Sequence, residues 1–175
     1  MPEFVHEKFG KESIESDRKS LEMSKDYELS NYYRITATVF WESAKTLAAD
    51  FNGKRQPVSG NRLAVPFYHL VSHATELLLK CAILKRGGTA EELKKFPIRH
   101  SLKLLMQKLL SLGIPVSANT SSLIDILSQQ HERHILRYEV FHPNNEISVY
   151  TPQPEDIFEM LTELLMAGRI STYGR

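Results

Sequence analysis

Histidine and arginine side chains are concentrated in the stretch HERHILRYEVFHPNN, which contains His131, Arg133, His134, Arg137 and His142. A histidine titrates near neutral pH and can exchange a proton, whereas an arginine keeps its charge and matches the oxygens of a phosphate group. The pair Arg137 and His142 therefore predicts a phosphate clamp beside a general acid or base. Arg133, one turn before Arg137, adds a second phosphate contact on the same helix face.

The same stretch also fits a purely structural role. Arg137 and Tyr138 can anchor the end of a helix, with the tyrosine ring packed on the core and its hydroxyl at the surface. His142 is followed directly by Pro143, which disfavours helical geometry at the histidine and favours a turn. Both interpretations, catalytic and structural, stay open at the level of the sequence.

A second group of histidines suggests a metal site as an alternative. His69 and His73 are four residues apart and Glu76 follows three residues later, so the three side chains share one helix face. His131 and His134 would add imidazoles if their helix is a neighbour. The pattern lacks the glutamate of the HExxH motif. Such histidines more often are half-buried and hydrogen-bonded to the backbone or to a carboxylate such as Glu76.

Composition predicts a single domain without metal-thiolate or disulfide chemistry. The chain has 175 residues, 42% of them hydrophobic, and one cysteine, Cys81, which excludes an internal disulfide and a Cys-based zinc site. No apolar run approaches the length of a membrane-spanning helix, so we expect a cytoplasmic protein without a membrane partner. Serine hydrolase, P-loop and dinucleotide-binding motifs are absent.

Charge is distributed unevenly although the formal net charge is +1. The segment 80–108 carries eight lysines and arginines against two glutamates, whereas 138–175 carries six acids against two bases. A basic block of this kind attracts phosphate backbones by releasing their counterions. It is equally typical of two helices whose lysines are simply solvated.

Hydrophobic spacing predicts a series of helices. Residues 1–26 are rich in Glu, Lys and Ser and predict a flexible N-terminal arm or a weak helix, so the domain is placed at 27–175. A long first helix follows, because apolar residues recur every three or four positions. Its predicted inward stripe consists of Leu29, Tyr33, Thr36, Phe40, Ala44, Leu47 and Phe51. A second helix begins near Pro66 and stops at Gly87.

Three further helices and one extended segment complete the predicted fold. The segment TAEELKKF has a capping-box pattern, Thr89 with Glu92, which predicts at most a short helix before Pro97. A third helix, SLKLLMQKLLSL, follows and closes at Gly113. A fourth is predicted at 121–136 and a fifth at 154–168. Between them, RYEVF and EISVY alternate in polarity around the turn-forming HPNN, which predicts a short β-hairpin. The predicted fold is mainly α: an up-and-down bundle of four to five helices with this hairpin between the last two.

The order of these motifs resembles HEPN domains, small helical bundles that are widespread in prokaryotes. The resemblance rests on the helix ATELLLK ending at Lys80, on His100 in RHSLKLL, and on Arg137 followed by His142, and it covers roughly 62–142. In active HEPN proteins the Arg/His pairs of two subunits face one shared cleft.

The resemblance implies a metal-independent endoribonuclease of the toxin or defence type that needs no cofactor and acts as a homodimer. Arg137 and His142 would be catalytic, with Arg133, Lys80, Arg99 and His100 contacting the substrate RNA. Many such toxins are encoded beside a nucleotidyltransferase-like antitoxin, which is the protein partner that the resemblance suggests.

Two functions of different classes follow from the sequence. The first is the HEPN-type endoribonuclease. The second is a non-catalytic HEPN-like module that binds a partner protein or a nucleotide through the basic segment 80–108, with His100 only in the cap region of the third helix. One fold hosts many activities, so the fold class does not choose between them.

Overall fold

The computed structural model describes residues 6–49, 63–132 and 152–169. Within these ranges the chain forms six α-helices and one 3-10 turn, and no β-strand. The elements are α1 (His6–Ala48), α2 (Ala64–Lys85), α3 (Ala90–Lys94), the 3-10 turn (Ile98–His100), α4 (Leu102–Ser111), α5 (Ala118–Glu132) and α6 (Pro154–Ala167). The predicted mainly α fold is confirmed. The hairpin predicted from RYEVF and EISVY lies outside the described residues.

Helix α2 forms the centre of the bundle. It contacts α1, α4, α5 and α6, and its buried residues occur around the whole helix rather than along one stripe. Phe67, Leu78 and Ile83 are among the largest fully buried side chains. The sequence HATELLLKCAILK is apolar on nearly every face, which is typical of a helix surrounded by other helices. The apolar spacing of this helix predicts six inward-facing residues, of which Leu70 is half-buried and the others are buried: Phe67, Ala74, Leu77, Cys81 and Leu84.

Helix α1 is the longest element. Its 43 residues correspond to about 64 Å of helix, roughly twice the length of α2. Residues 6–26, predicted as a flexible arm or a weak helix, are helical and continuous with the rest of α1. The side chains of 15–25 are exposed, and the domain boundary at residue 26 stays a prediction. Neither α1 nor any other described helix is apolar enough over a sufficient length to cross a membrane.

The second half of α1 packs on α2 through a line of small and aromatic residues. Ala37, Trp41 and Ala44 are buried, and the predicted stripe residues Leu29, Tyr33, Phe40 and Leu47 pack against the same core. Thr36, predicted to face inward, is half-buried. The packing face is therefore close to the predicted stripe but is centred on neighbouring positions of the helix.

The predicted helix starts and stops are confirmed where they rest on local chemistry. Thr89 and Glu92 form a reciprocal capping box at α3, with Oγ1 of Thr89 accepting from the Glu92 backbone N–H at 3.2 Å. Gly87 and Gly113 adopt positive φ angles of 87° and 77° just after α2 and α4, the conformation that glycine accepts at helix C-termini. Pro154 opens α6 as predicted.

Helix α5 begins earlier than predicted because a side chain from α6 stabilises its first turn. Glu163 accepts a hydrogen bond from the backbone N–H of Ser117 at 2.6 Å, and its other oxygen accepts from the hydroxyls of Ser117 and Thr120. The Ser117 hydroxyl in turn caps the helix by accepting from the Thr120 N–H at 3.1 Å. These contacts join α5 to α6, whereas the predicted end of this helix, residue 136, lies outside the described residues.

Candidate functional site

Three nitrogen-bearing side chains surround the carboxylate of Glu76 in the middle of α2. Its Oε1 accepts a hydrogen bond from Nζ of Lys80 at 2.5 Å and lies 3.2 Å from Nδ1 of His100. Its Oε2 lies 3.5 Å from Nε2 of His131. These four residues, Glu76, Lys80, His100 and His131, are called the Glu76 cluster below.

Three separate elements bring the Glu76 cluster together. Glu76 and Lys80 are one turn apart on α2, with the acid before the base, the order that favours ion pairing along a helix. His100 ends the 3-10 turn, and the next residue, Ser101, caps α4 by accepting a hydrogen bond from the backbone of its first turn. His131 comes from the last turn of α5, which packs against α2. The cluster therefore depends on the packing of α2, α4 and α5.

The Glu76 cluster is closed on the inside and open to solvent on one side. The side chains of Glu76 and Lys80 are 4% and 8% exposed, and that of His131 is 15% exposed. The side chain of His100, in contrast, is 64% exposed. The ring of Tyr33 from α1 lies 6.0 Å from the Lys80 ammonium. A substrate in solution would therefore meet the cluster through His100.

Glu76 keeps its negative charge across the neutral pH range. Burial by itself raises the pKa of Glu76, but the contacts with His131 and Lys80 and the nearby charge of His100 outweigh burial and lower this pKa to about 2. A buried charge is tolerated only when it is paired and hydrogen-bonded. The cluster meets this condition, because both carboxylate oxygens have nitrogen-bearing neighbours.

The ionised carboxylate of Glu76 determines which ring nitrogen of each neighbouring histidine carries the proton. A carboxylate accepts hydrogen bonds and donates none, so a neutral His100 carries its proton on Nδ1, the atom near Glu76, and leaves Nε2 as an acceptor. The same reasoning puts the proton of neutral His131 on Nε2. An imidazole held by a buried carboxylate is an arrangement that supports general acid–base catalysis.

His73 lies one turn before Glu76 but points to a different neighbour. Its ring packs edge-on against Phe40, with 4.6 Å between the ring centroids. Burial lowers the pKa of His73, the positive charges of the cluster add to this effect, and the Glu76 carboxylate opposes it. The imidazole of His73 is therefore neutral at pH 7 and supports the packing of α1 on α2.

The alternative metal site at His69, His73 and Glu76 is not assembled. In the part of the chain that the structure describes, no group of three or more His, Cys, Asp or Glu side chains is placed to hold a metal ion. The physical reason is that Glu76 is engaged by Lys80, while His73 packs against an aromatic ring.

Two of the residues predicted to contact substrate, Lys80 and His100, meet at Glu76. The exposed ring of His100 is compatible with that role. Lys80 is not, because its ammonium group is buried and bonded to the carboxylate, so it stabilises Glu76 instead of contacting a substrate. Arg99, next to His100 in the 3-10 turn, is exposed and free to meet an anion near the cluster.

The other predicted site residues lie beyond the described part of α5. Arg133, Arg137 and His142 fall outside the described residues, and their arrangement stays a prediction. His131, which is described, belongs to the same stretch of sequence, HERHILRYEVFH. The Glu76 cluster is therefore two residues away in sequence from the first of the predicted arginines.

The central role of Glu76 was only partly visible in the sequence. The expectation that a histidine of this group meets Glu76 is confirmed for His131. The pairing of Glu76 with Lys80 was missed, although an acid and a base four residues apart inside the apolar run ELLLK indicate such a buried pair. No local pattern could have placed His100 beside them, because it comes from a different helix junction.

The low pKa of Glu76 predicts how stability depends on pH. A carboxyl group whose pKa falls from 4.5 to about 2 on folding contributes stability that is fully present above pH 4.5 and is lost as the pH falls towards 2. The lost contribution is roughly 3 kcal/mol. Urea unfolding at several pH values should show a steep loss of stability below pH 4.5. In Glu76→Gln this loss should be smaller, and an identical pH dependence in both proteins would contradict the assignment.

Comparison of the chain with protein-family models, with curated proteins and with solved structures found no match.

Proposed function

We propose that this chain is a HEPN-like, metal-independent endoribonuclease that acts as a homodimer. The observation that carries the proposal is the Glu76 cluster, in which a buried carboxylate orients a solvent-exposed imidazole, that of His100. Cleavage of RNA without a metal needs a base that takes the proton of the 2′-hydroxyl group and a cation that stabilises the charge on the phosphorane. His100 supplies the first requirement and Arg99 lies beside it for the second.

The roles of the remaining residues follow from their chemistry. Arg137 is the phosphate clamp, His142 exchanges the second proton, and Arg133 adds a phosphate contact. The α5 helix, whose last described turn carries His131, leads directly into this segment. The hairpin proposed for RYEVF and EISVY would follow, with His142 at its turn. In a homodimer, the pairs from both copies face one cleft.

A second candidate function is a non-catalytic HEPN-like module that binds a partner protein or a nucleotide. It is favoured by the exposed basic residues of α3, α4 and the turn between them, namely Lys94, Lys95, Arg99 and Lys103. These side chains attract a polyanion without any need for acid–base chemistry. In this alternative, the Glu76 cluster only joins α2, α4 and α5.

A toxin or defence role, with a nucleotidyltransferase-like antitoxin, forms the biological part of the proposal. It rests on the resemblance to HEPN proteins. Inhibition of growth on expression, relieved by a neighbouring gene product of that class, would support it.

Incubation of the purified protein with structured RNA in EDTA tests the proposed activity. We expect cleavage by the wild type and a loss of roughly 100-fold or more in Arg137→Ala and in His142→Ala, because each removes a group that acts in the transition state. Cleavage that survives both substitutions would remove the two residues from the site. Absence of cleavage across varied RNAs, together with salt-sensitive RNA or nucleotide binding, would favour the non-catalytic module.

A further inference from the structure

A groove of about 550 Å³ lies between α1 and α6, and none of its lining residues belongs to the Glu76 cluster. The aromatic side chains of Trp41 and Phe158 line it, and the carboxylates of Glu155 and Glu159 stand beside them, one turn apart on α6. Within the described residues, neither of these carboxylates has an ion-pair partner. The groove therefore has an aromatic surface beside two carboxylates that, in the part of the chain that the structure describes, are not paired with a cation.

The lysine that lines the groove, Lys45, is already paired with the carboxylate of Glu42. Its ammonium group is 2.8 Å from Oε1 of Glu42 and stacks over the Trp41 ring at 4.7 Å. The chemistry that fits the groove is an aromatic or aliphatic side chain flanked by lysine or arginine, because the first would cover the aromatic surface and the second would pair with the carboxylates.

The chain carries such a group on its own surface. Phe96 is 94% exposed, the most exposed of the large hydrophobic side chains in the described residues. It follows Lys94 and Lys95, both exposed. Nζ of Lys94 lies 3.6 Å from Oε1 of Glu91, but both side chains are largely exposed, and such a surface pair is weak. We call the segment 94–96 the Phe96 knob. Aromatic side chains of this kind are common anchors at the centre of protein interfaces, where they fill a pocket on the partner.

The Phe96 knob and the groove lie at different points along α1, the first beside its middle and the second near its C-terminal end. Helix α3, which leads into the knob, begins where the Ala90 backbone N–H donates to Oδ1 of Asp26 at 3.2 Å, whereas the groove lies at Trp41. These positions on α1 are about 22 Å apart at the rise of an α-helix. A second copy lying antiparallel along α1 would bring its knob to the groove, and two-fold symmetry would fill both grooves at once.

We propose that the Phe96 knob of one copy occupies the groove of a second copy, and that the contact is reciprocal. The ring of Phe96 covers Trp41 and Phe158, and the knob lysines pair with Glu155 and Glu159. This inference rests on the homodimer of the proposed function and assigns one contact between its two copies. It does not require RNA cleavage, which is measured separately.

Two charge-reversed variants test the contact without disturbing the core. The knob variant Lys94→Glu/Lys95→Glu and the groove variant Glu155→Lys/Glu159→Lys alter exposed side chains. In each variant alone, knob and groove carry the same sign of charge, so we expect the dimer to dissociate at least roughly tenfold more readily. In an equimolar mixture, the acidic knob meets the basic groove and the wild-type knob meets the wild-type groove, so the dimer should return.

Sedimentation velocity at low salt measures the oligomeric state of all four samples. A dimeric wild type, two monomeric variants and a dimeric mixture would support the proposal, as would a weaker dimer in Phe96→Ser, which changes no charge. A monomeric wild type would overturn it, and so would a mixture that stays monomeric. Variants that remain dimeric would place the interface elsewhere. RNA cleavage in EDTA, assayed on the same samples, separates failure of this interface from failure of the proposed activity.

Discussion

Replacing Glu76 by glutamine is expected to lower the free energy of unfolding by about 3 kcal/mol at pH 7, because breaking a buried ion pair leaves its partner charge without compensation. Glutamine keeps the shape of the side chain but removes the charge that holds Lys80 and the two histidines. The side chain of Lys80 is 8% exposed, so water cannot replace the carboxylate without opening the packing around α2. Urea unfolding followed by circular dichroism measures the difference.

Two companion variants show whether the loss comes from the buried charge. Adding Lys80→Met to Glu76→Gln removes the uncompensated ammonium group, so the double variant should be more stable than Glu76→Gln alone. Glu91→Gln is the matched control, because Glu91 also precedes a lysine on its helix but is 82% exposed. Its effect should stay below about 0.5 kcal/mol. A loss of less than about 1 kcal/mol in Glu76→Gln would contradict the proposed burial of the charge.

The parts of the fold that follow from local chemistry were predictable from the sequence. The capping box at Thr89 and Glu92, the glycine stop at Gly113 and the proline start at Pro154 each involve residues within one helical turn. Such signals act through backbone geometry and hydrogen bonds that neighbours in sequence can satisfy. They fix most of the helix boundaries.

The parts that depend on distant contacts were not predictable. The first turn of α5 is stabilised by Glu163, which lies 46 residues after Ser117, so the sequence around Ser121 gives a start that is a few residues late. The central position of α2 likewise depends on which helices pack together. A pattern of apolar spacing identifies a buried face, but it does not identify the element that covers it.

The candidate site was predictable in part from the sequence, and in part it depends on contacts between distant helices. The resemblance to HEPN domains singled out His100 and Lys80, and the structure brings both to one carboxylate. Their roles then differ because of burial, which spacing does not reveal. A buried ion pair contributes little net stability compared with a well-packed apolar pair. Under the proposed function the pair has a further role, because the carboxylate that it holds also orients the exposed imidazole of His100.

If the chain is a ribonuclease, His100→Ala should reduce RNA cleavage by roughly 100-fold or more, the usual contribution of a positioned general acid or base. The loss should fall mainly on the rate of the chemical step, since the exposed ring carries little of the binding energy. Because the side chain is 64% exposed, the free energy of unfolding should change by less than about 1 kcal/mol.

The contact between Glu76 and His100 allows a test of whether the carboxylate orients the imidazole ring. If the carboxylate orients the ring of His100, then Glu76→Gln should also slow cleavage, and added imidazole should partly rescue His100→Ala but not Glu76→Gln. Gln107→Ala, an exposed substitution on α4, is the control for general effects on this face. Cleavage by His100→Ala at the wild-type rate, in a protein whose stability is unchanged, would separate the Glu76 cluster from catalysis and leave the acid–base chemistry to His142.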